Sequence, residues 1–324
     1  MNNQLQGNRS LTGDAALVLT ALIWGSTFII AKDVLSEWTP LTYITVRFTI
    51  AAVALAVMFR RELLPATRGD WRAGLVLGML IGVGFAVQAV GQVYTTATKS
   101  AFITGLTTPL VPLCAYILLR ARPTLGNLIG IACATLGGFI LLAPPSATQG
   151  EGLMSGVNIG DLLTLSCTIL FATHIVLLGV YTQRTNVKRL TVLQIMTAAM
   201  LFVVVWLTIK ACVMFGGAEW LPSALAREAA TPVWNVAVMW RMLYLSLVGT
   251  VAAFLLWTWG QARVAAVRAA IIFNLEPVFA ALFAVAVRGR EEWLGGWASI
   301  GAALVLLGVL VSEVRWRKES IRDN

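Results

Sequence analysis

The sequence predicts an all-α integral membrane protein, with ten transmembrane helices arranged as two inverted five-helix repeats. Three observations carry that reading. Apolar types make up 58% of the 324 residues and charged types only 12%, against about 25% charged in a water-soluble chain; the mean hydropathy is +0.81. Ten mostly apolar stretches follow one another, each near the roughly 20 residues a helix needs to cross the hydrocarbon core. Short patterns in the first half recur in the second at nearly constant offset. So few charges cannot cover a water-facing surface. A soluble enzyme and a disordered chain are excluded, and little room is left for an extramembrane domain.

The stretches run as follows. The first, 14–33, comes after the polar residues MNNQLQGNRS, which lack the pattern of a cleavable signal, and holds Trp24-Gly25-Ser26. The second, 40–59, contains Arg47 inside the span. The third, 72–94, carries Gly74, Gly78 and Gly82 at every fourth position and then Gln88 and Gln92. Stretch 99–119 contains Thr107-Thr108-Pro109-Leu110, and 124–143 contains Gly126 and Gly130. His174, the single histidine, lies in 159–181; 190–214 is uncharged as far as residue 209. The eighth, 239–262, holds Trp257 and Trp259; the ninth, 268–287, holds Asn274-Leu275-Glu276-Pro277; the tenth is 293–313. The longest gaps are 144–158 and 215–238, neither long enough for a domain.

Lys and Arg set the orientation. With both ends on one side, that side receives sixteen basic residues, the other seven, and Arg47 completes the 24. Both termini are therefore expected in the cytoplasm of a cell membrane (inner or plasma). Clusters such as Arg60-Arg61 and Arg315-Trp316-Arg317-Lys318 sit beside apolar runs, as membrane anchors do. They are not interleaved with aromatics as a nucleic-acid surface would be, so no nucleic-acid partner is expected.

Gly13-Asp14 and Gly160-Asp161 open the first and sixth spans at an offset of 147. Thr108-Pro109 matches Glu276-Pro277 at 168, and Gly130 with Gly137 matches Gly301 with Gly308 at 171. The expected division is a first repeat at 1–145, an outer linker at 146–158, a second repeat at 159–314 and a cytoplasmic tail at 315–324. Five is odd, so the halves have opposite orientation, the architecture of secondary transporters with a site between the repeats.

Trp24-Gly25-Ser26, Arg47, Thr107-Thr108-Pro109-Leu110 and Asn274-Leu275-Glu276-Pro277-Val278 together resemble the EamA-type drug/metabolite transporter superfamily. The resemblance covers nearly the whole chain, twice over. It implies export or exchange of small metabolites, such as amino acids or drugs, through a central cavity, without naming the solute. The stretch 216–238, with Trp220, Pro222 and Trp234, is longer than that pattern expects.

Enzymatic motifs are missing. One histidine allows no multi-His metal site, and no P-loop is present to drive transport by nucleotide hydrolysis. No catalytic residue, metal or cofactor is expected. The four cysteines are dispersed in apolar segments without a C-x-x-C pair, as small packing residues would be. Ionisable groups inside spans usually face a cavity or a partner, which singles out Arg47, His174 and Glu276. Pro277 removes a backbone N–H and frees the carbonyl of Phe273, so a kink is expected beside Glu276; Pro109 is its counterpart. Rise per residue puts Glu276 about 12 Å from the cytoplasmic end of its span, His174 at similar depth, and Arg47 about 10 Å from the outer edge. The plainer reading of His174 is a neutral core residue bonded to a backbone carbonyl.

Trp257 and Trp259 point about 200° apart on one helix, so only one of them joins Trp24 in an aromatic wall. Gln88 and Gln92 share a face and need partners, either another helix or a solute. Ser26 and Asn274 complete the candidate pathway. The glycine stripes permit close helix approach and would serve a homodimer as well as contacts within one chain. The expected function is a carrier that exports or exchanges a small organic solute by alternating access, with or without an exchanged proton. Its rivals are an importer or nucleotide-sugar-like exchanger of the same fold and, further off, an intramembrane enzyme or helper subunit.

Overall fold

The computed structural model describes residues 10–121, 125–142, 157–216, 227–289 and 295–313. The expected tail at 315–324, most of the linker at 146–158, Trp220 and Pro222 lie outside them. All regular structure among the described residues is helical. The principal helices are α1 (Leu11–Leu35), α2 (Pro40–Met58), α3 (Arg68–Tyr94), α4 (Ala97–Leu119), α5 (Leu125–Leu142), α6 (Ile159–Tyr181), α7 (Val187–Met214), α8 (Val236–Gln261), α9 (Ala266–Arg288) and α10 (Gly295–Glu313). Eight of them are long and apolar enough to cross a membrane. The apolar cores of α5 and α10, Leu128–Gly137 and Ser299–Gly308, are shorter.

Several helices begin earlier than their apolar stretches suggest. The reason is capping: the polar flank belongs to the helix. The Ser10 hydroxyl accepts from the Gly13 amide. Thr67 and Asp70 form a reciprocal capping box at the start of α3, as Asn158 and Asp161 do for α6. Asn186 accepts from the amides of Lys188 and Arg189, and Asn235 from that of Val238. Each cap contributes about 0.5–2 kcal/mol, and hydropathy alone does not register it.

The chain crosses back and forth between two ends of the bundle, a near end holding Leu11 and a far end holding Leu35. At the near end Arg189 bonds Asp70 at 3.0 Å and Arg268 bonds Asp14 at 2.8 Å. At the far end Lys99 meets Asp161 at 2.7 Å, while Arg288 and Arg241 gather on Asp33 and Glu37. The stripe on α3 is used within the chain: a Cβ on Gly74 or Gly78 would come within 2.4 Å of Leu193 or Thr197 on α7. The residues described after the long gap dock on the far end. Glu228 accepts from the amides of Leu41 and Thr42 at 3.0 and 3.1 Å, capping α2 with a carboxylate. Trp38 donates to the carbonyl of Val233 and packs edge-on to Trp234, centroids 4.6 Å apart.

Three helices depart from the α ladder. Helix α4 breaks at Leu106 and α9 at Asn274, each three residues before the proline of its motif. Pro109 and Pro277 lack the N–H that would bond the carbonyl four residues back, on Gly105 or Phe273, and the α segments end at those two residues. In α8, Tyr244–Ala252 forms a π segment.

Candidate functional site

The helix breaks of α4 and α9, together with faces of α1, α2, α3, α6 and the last part of α8, enclose a cavity of about 830 Å³, open mouth included. Of the residues singled out in the sequence, Trp24, Arg47, Gln88, Gln92, Trp257 and Glu276 line it. Ser26, His174 and Asn274 do not. Tyr43, Phe85, Thr104, Phe171 and Phe273 line it as well. Phe171 stands 147 positions after Trp24, the offset of Gly160-Asp161 from Gly13-Asp14; the other four carry no signal that separates them from other apolar or hydroxyl residues in this chain.

One wall is aromatic. Trp24 stands edge-on to Trp257 with centroids 4.9 Å apart, and both rings lie within 5.6 Å of Phe273. Trp259 faces away under the Arg263 guanidinium, 3.7 Å from the ring centroid, as the helical period requires. The Trp257 indole N–H donates to Gln261 Oε1 at 2.6 Å; that of Trp24 donates to the carbonyl of Gly249 at 3.1 Å. Both polar edges are thus tied into the protein and the ring faces are left for contact.

Arg47 is 3% exposed. Its Nε donates to Thr250 Oγ1 at 2.8 Å, Nη1 to the Tyr43 hydroxyl at 2.7 Å, and Nη2 to the carbonyl of Gly249 at 3.1 Å. The Phe85 ring centroid lies 5.3 Å from the guanidinium carbon. Among the described residues no carboxylate pairs with it. The π segment makes this possible, since it turns Thr250 and the carbonyl of Gly249 toward α2; π segments are frequent at functional sites. Glu276, just past the α9 break, has no ion-pair or hydrogen-bond partner among the described residues. Among the described residues that line the cavity there are thus one guanidinium and one carboxyl group, and they do not form an ion pair.

Gln88 donates to Thr104 Oγ1 at 3.0 Å, so α3 is tied to α4 beside the break, while the Gln92 amide has no protein partner among the described residues. His174 is fully buried behind Trp257, ring centroids 4.7 Å apart. The backbone carbonyl expected for it is replaced by a side chain: Nε2 donates to Gln194 Oε1 at 2.9 Å, and Gln194 in turn donates to Thr258. Ser26 joins Tyr244 at 2.7 Å behind the wall. Asn274 sits buried in the break, with its amide nitrogen toward the carbonyls of Ala270 and Ile271.

The model of the EamA-like transporter family matches residues 11–143 and again 158–313. The chain belongs to that family. An uncharacterized transporter of Archaeoglobus fulgidus is 30% identical over 311 residues, covering 96% of this chain and 88% of that protein. The uncharacterized inner membrane transporter YedA of Escherichia coli K12 is 26% identical, covering 90% of each chain. A solved crystal structure superposes with a TM-score of 0.64 at 18% identity, over 94% of this chain and 97% of the other; that likeness speaks for the fold alone. This EamA-like chain is a multi-pass membrane transporter.

Proposed function

We propose that this EamA-like transporter exports or exchanges a small organic solute by alternating access, through ten spans in two inverted five-helix repeats. The repeats are 1–145 and 159–314, joined by a linker at 146–158 and followed by a tail at 315–324, with both termini in the cytoplasm. The near end is then the cytoplasmic one. The doubled family match and the paired breaks at Leu106 and Asn274, 168 positions apart, support the repeat.

The observation that carries the functional reading is the cavity itself. Burying a cation without a charged partner is costly, and here Arg47 and Glu276 face one cavity without pairing. A solute with an acidic group toward Arg47, a cationic or proton-donating group toward Glu276, and an apolar body against Trp24 and Trp257 matches all three features. Glu276 is also the group that would carry a proton exchanged against the solute.

The test is uptake by proteoliposomes containing this protein alone, using radiolabelled anionic, cationic, zwitterionic and neutral solutes. Saturable counterflow of at least one charged class is expected. Glu276→Gln keeps the size and removes titration, so it is expected to abolish pH-driven accumulation while preserving equilibrium exchange. Counterflow of none of the classes would refute the reading. A Gln variant that still accumulates solute with pH would remove Glu276 from coupling.

A further inference from the structure

Two junctions outside the cavity are built alike. At the near end, a Cβ on Gly260 of α8 would lie 3.0 Å from the carbonyl oxygen of Gly13 on α1. One residue on, Asp14 accepts both Nε and Nη2 of Arg268, at the start of α9, at 2.9 and 2.8 Å. At the far end, a Cβ on Gly91 of α3 would lie 2.9 Å from the carbonyl oxygen of Gly160 on α6. One residue on, Asp161 accepts Lys99 Nζ, at the start of α4, at 2.7 Å. Gly13 and Asp14 are separated from Gly160 and Asp161 by 147 positions; Gly91 and Lys99 are separated from Gly260 and Arg268 by 169. Four residues at one end therefore map onto four at the other, in the same roles.

We infer that these junctions are the two latches of the transport cycle: Asp14–Arg268 closes the near end of the cavity and Asp161–Lys99 the far end, and each opens while the other holds. The inference rests on the alternating-access reading. Its structural basis is position. Each junction ties the first helix of one half to the third and fourth of the other, and the cavity lies between them, lined by all six helices. On this reading a solute leaving toward either end passes the junction there. The backbones touch at glycine, which lets Leu17 and Val264 at the near end and Thr164 and Tyr94 at the far end close over the seam. The ion pair is the charged bond across each seam; at the far one the Thr95 hydroxyl, just past α3, also donates to Asp161, at 2.9 Å. The far latch is the drier one, with Asp161 and Lys99 side chains 1% and 18% exposed, against 17% and 33% for Asp14 and Arg268. Removing its charge therefore has the larger effect.

The test keeps Asp161, which also caps α6, and changes the basic partners first. In a chain whose four cysteines are replaced by alanine, spin labels at Tyr94 and Ile159 span the far junction, and labels at Leu11 and Arg263 span the near one. Without solute, Lys99→Gln is expected to add a component longer by about 5 Å, one helical turn, to the far distance and leave the near distance unchanged. Arg268→Gln is expected to do the reverse, with a smaller added fraction. The swap Asp14→Arg with Arg268→Asp is expected to restore the short near distance. Distances that do not move in either variant, or that lengthen at both ends together, overturn the inference. Counterflow on the same variants separates the two readings: end-specific opening in a protein that carries no solute would keep the two junctions as independent switches and refute their role in a transport cycle.

Discussion

Gly25 lies on α1 between Trp24 and Ser26 and presses on α9. A Cβ at this position would stand 2.6 Å from Phe279 Cβ, 2.9 Å from the amide nitrogen of Ala280 and 3.1 Å from the carbonyl oxygen of Glu276. None of these atoms can swing away by a rotamer change. With carbon–carbon contacts settling near 3.5–4.0 Å, the two helices must separate by roughly 1 Å. Such overpacking costs about 1–3 kcal/mol, and the displaced backbone carries Trp24 on one side and Glu276 on the other. Gly25→Ala is therefore expected to lower the unfolding free energy by that amount, read from denaturant titration in mixed micelles by tryptophan fluorescence, and to reduce counterflow in proteoliposomes. Gly296→Ala is the control. It meets nothing within 4 Å and is expected to stay within about 0.5 kcal/mol of the parent. A Gly25→Ala protein with the parental midpoint and slope would refute the packing argument.

Pro109→Ala and Pro277→Ala each restore an N–H able to reach the carbonyl four residues back, closing the break; transport is expected to fall while membrane expression survives, and unchanged counterflow in both would mark the breaks as fixed packing. Reporter fusions after Asn158 and after Trp220 are expected to report an external location, and internal signals at both would overturn the ten-span arrangement. Glu228→Ala leaves the amides of Leu41 and Thr42 without their acceptor and is expected to cost about 0.5–2 kcal/mol of stability, measured by the same titration; an unshifted midpoint would show that water replaces the cap without loss.

The helices and half of the cavity were legible in the sequence because each left a strong physical signature. Lipid-length apolar runs mark spans. Prolines 109 and 277 foretold breaks beside the cavity, and each break falls where the missing N–H leaves a carbonyl free. The helical period correctly allowed only one of Trp257 and Trp259 to face Trp24, and put Gln88 and Gln92 on one wall. Charge rarity in lipid picked out Arg47 and Glu276. It picked out His174 on the same ground, yet that residue serves the wall from behind, since rarity says a group needs a partner and not which one. Tyr43 and Phe85 were invisible because aromatic residues in a lipid-soluble chain are ordinary, whereas Phe171 stands at the repeat offset from Trp24. The docking of Glu228 on α2 was equally hidden, for it joins residues 186 positions apart through a gap that hydropathy reads only as polar. The ties between α1 and α9 at the near end depend on which helices neighbour one another, which no local pattern records.

The π segment of α8 has a consequence for how the length of this chain is read. Thr250 Oγ1 reaches the carbonyl of Leu245, five residues back, and the ladder there holds a residue more than an α turn would. Deleting one residue between Tyr244 and Ala252 would let the ladder relax to its ordinary period, because the wide turn already absorbs the roughly 100° that one more residue would otherwise add. Asn235 and Arg241, which hold Glu37, would keep their azimuth, and so would Trp257 and Gln261 beyond the segment. What would be lost is the outward turn of Thr250 and the Gly249 carbonyl toward Arg47. In this helix a gap of one residue in an alignment is thus a change in what holds the buried guanidinium, and relatives that differ by such a gap keep the same far-end surface around a differently anchored cation.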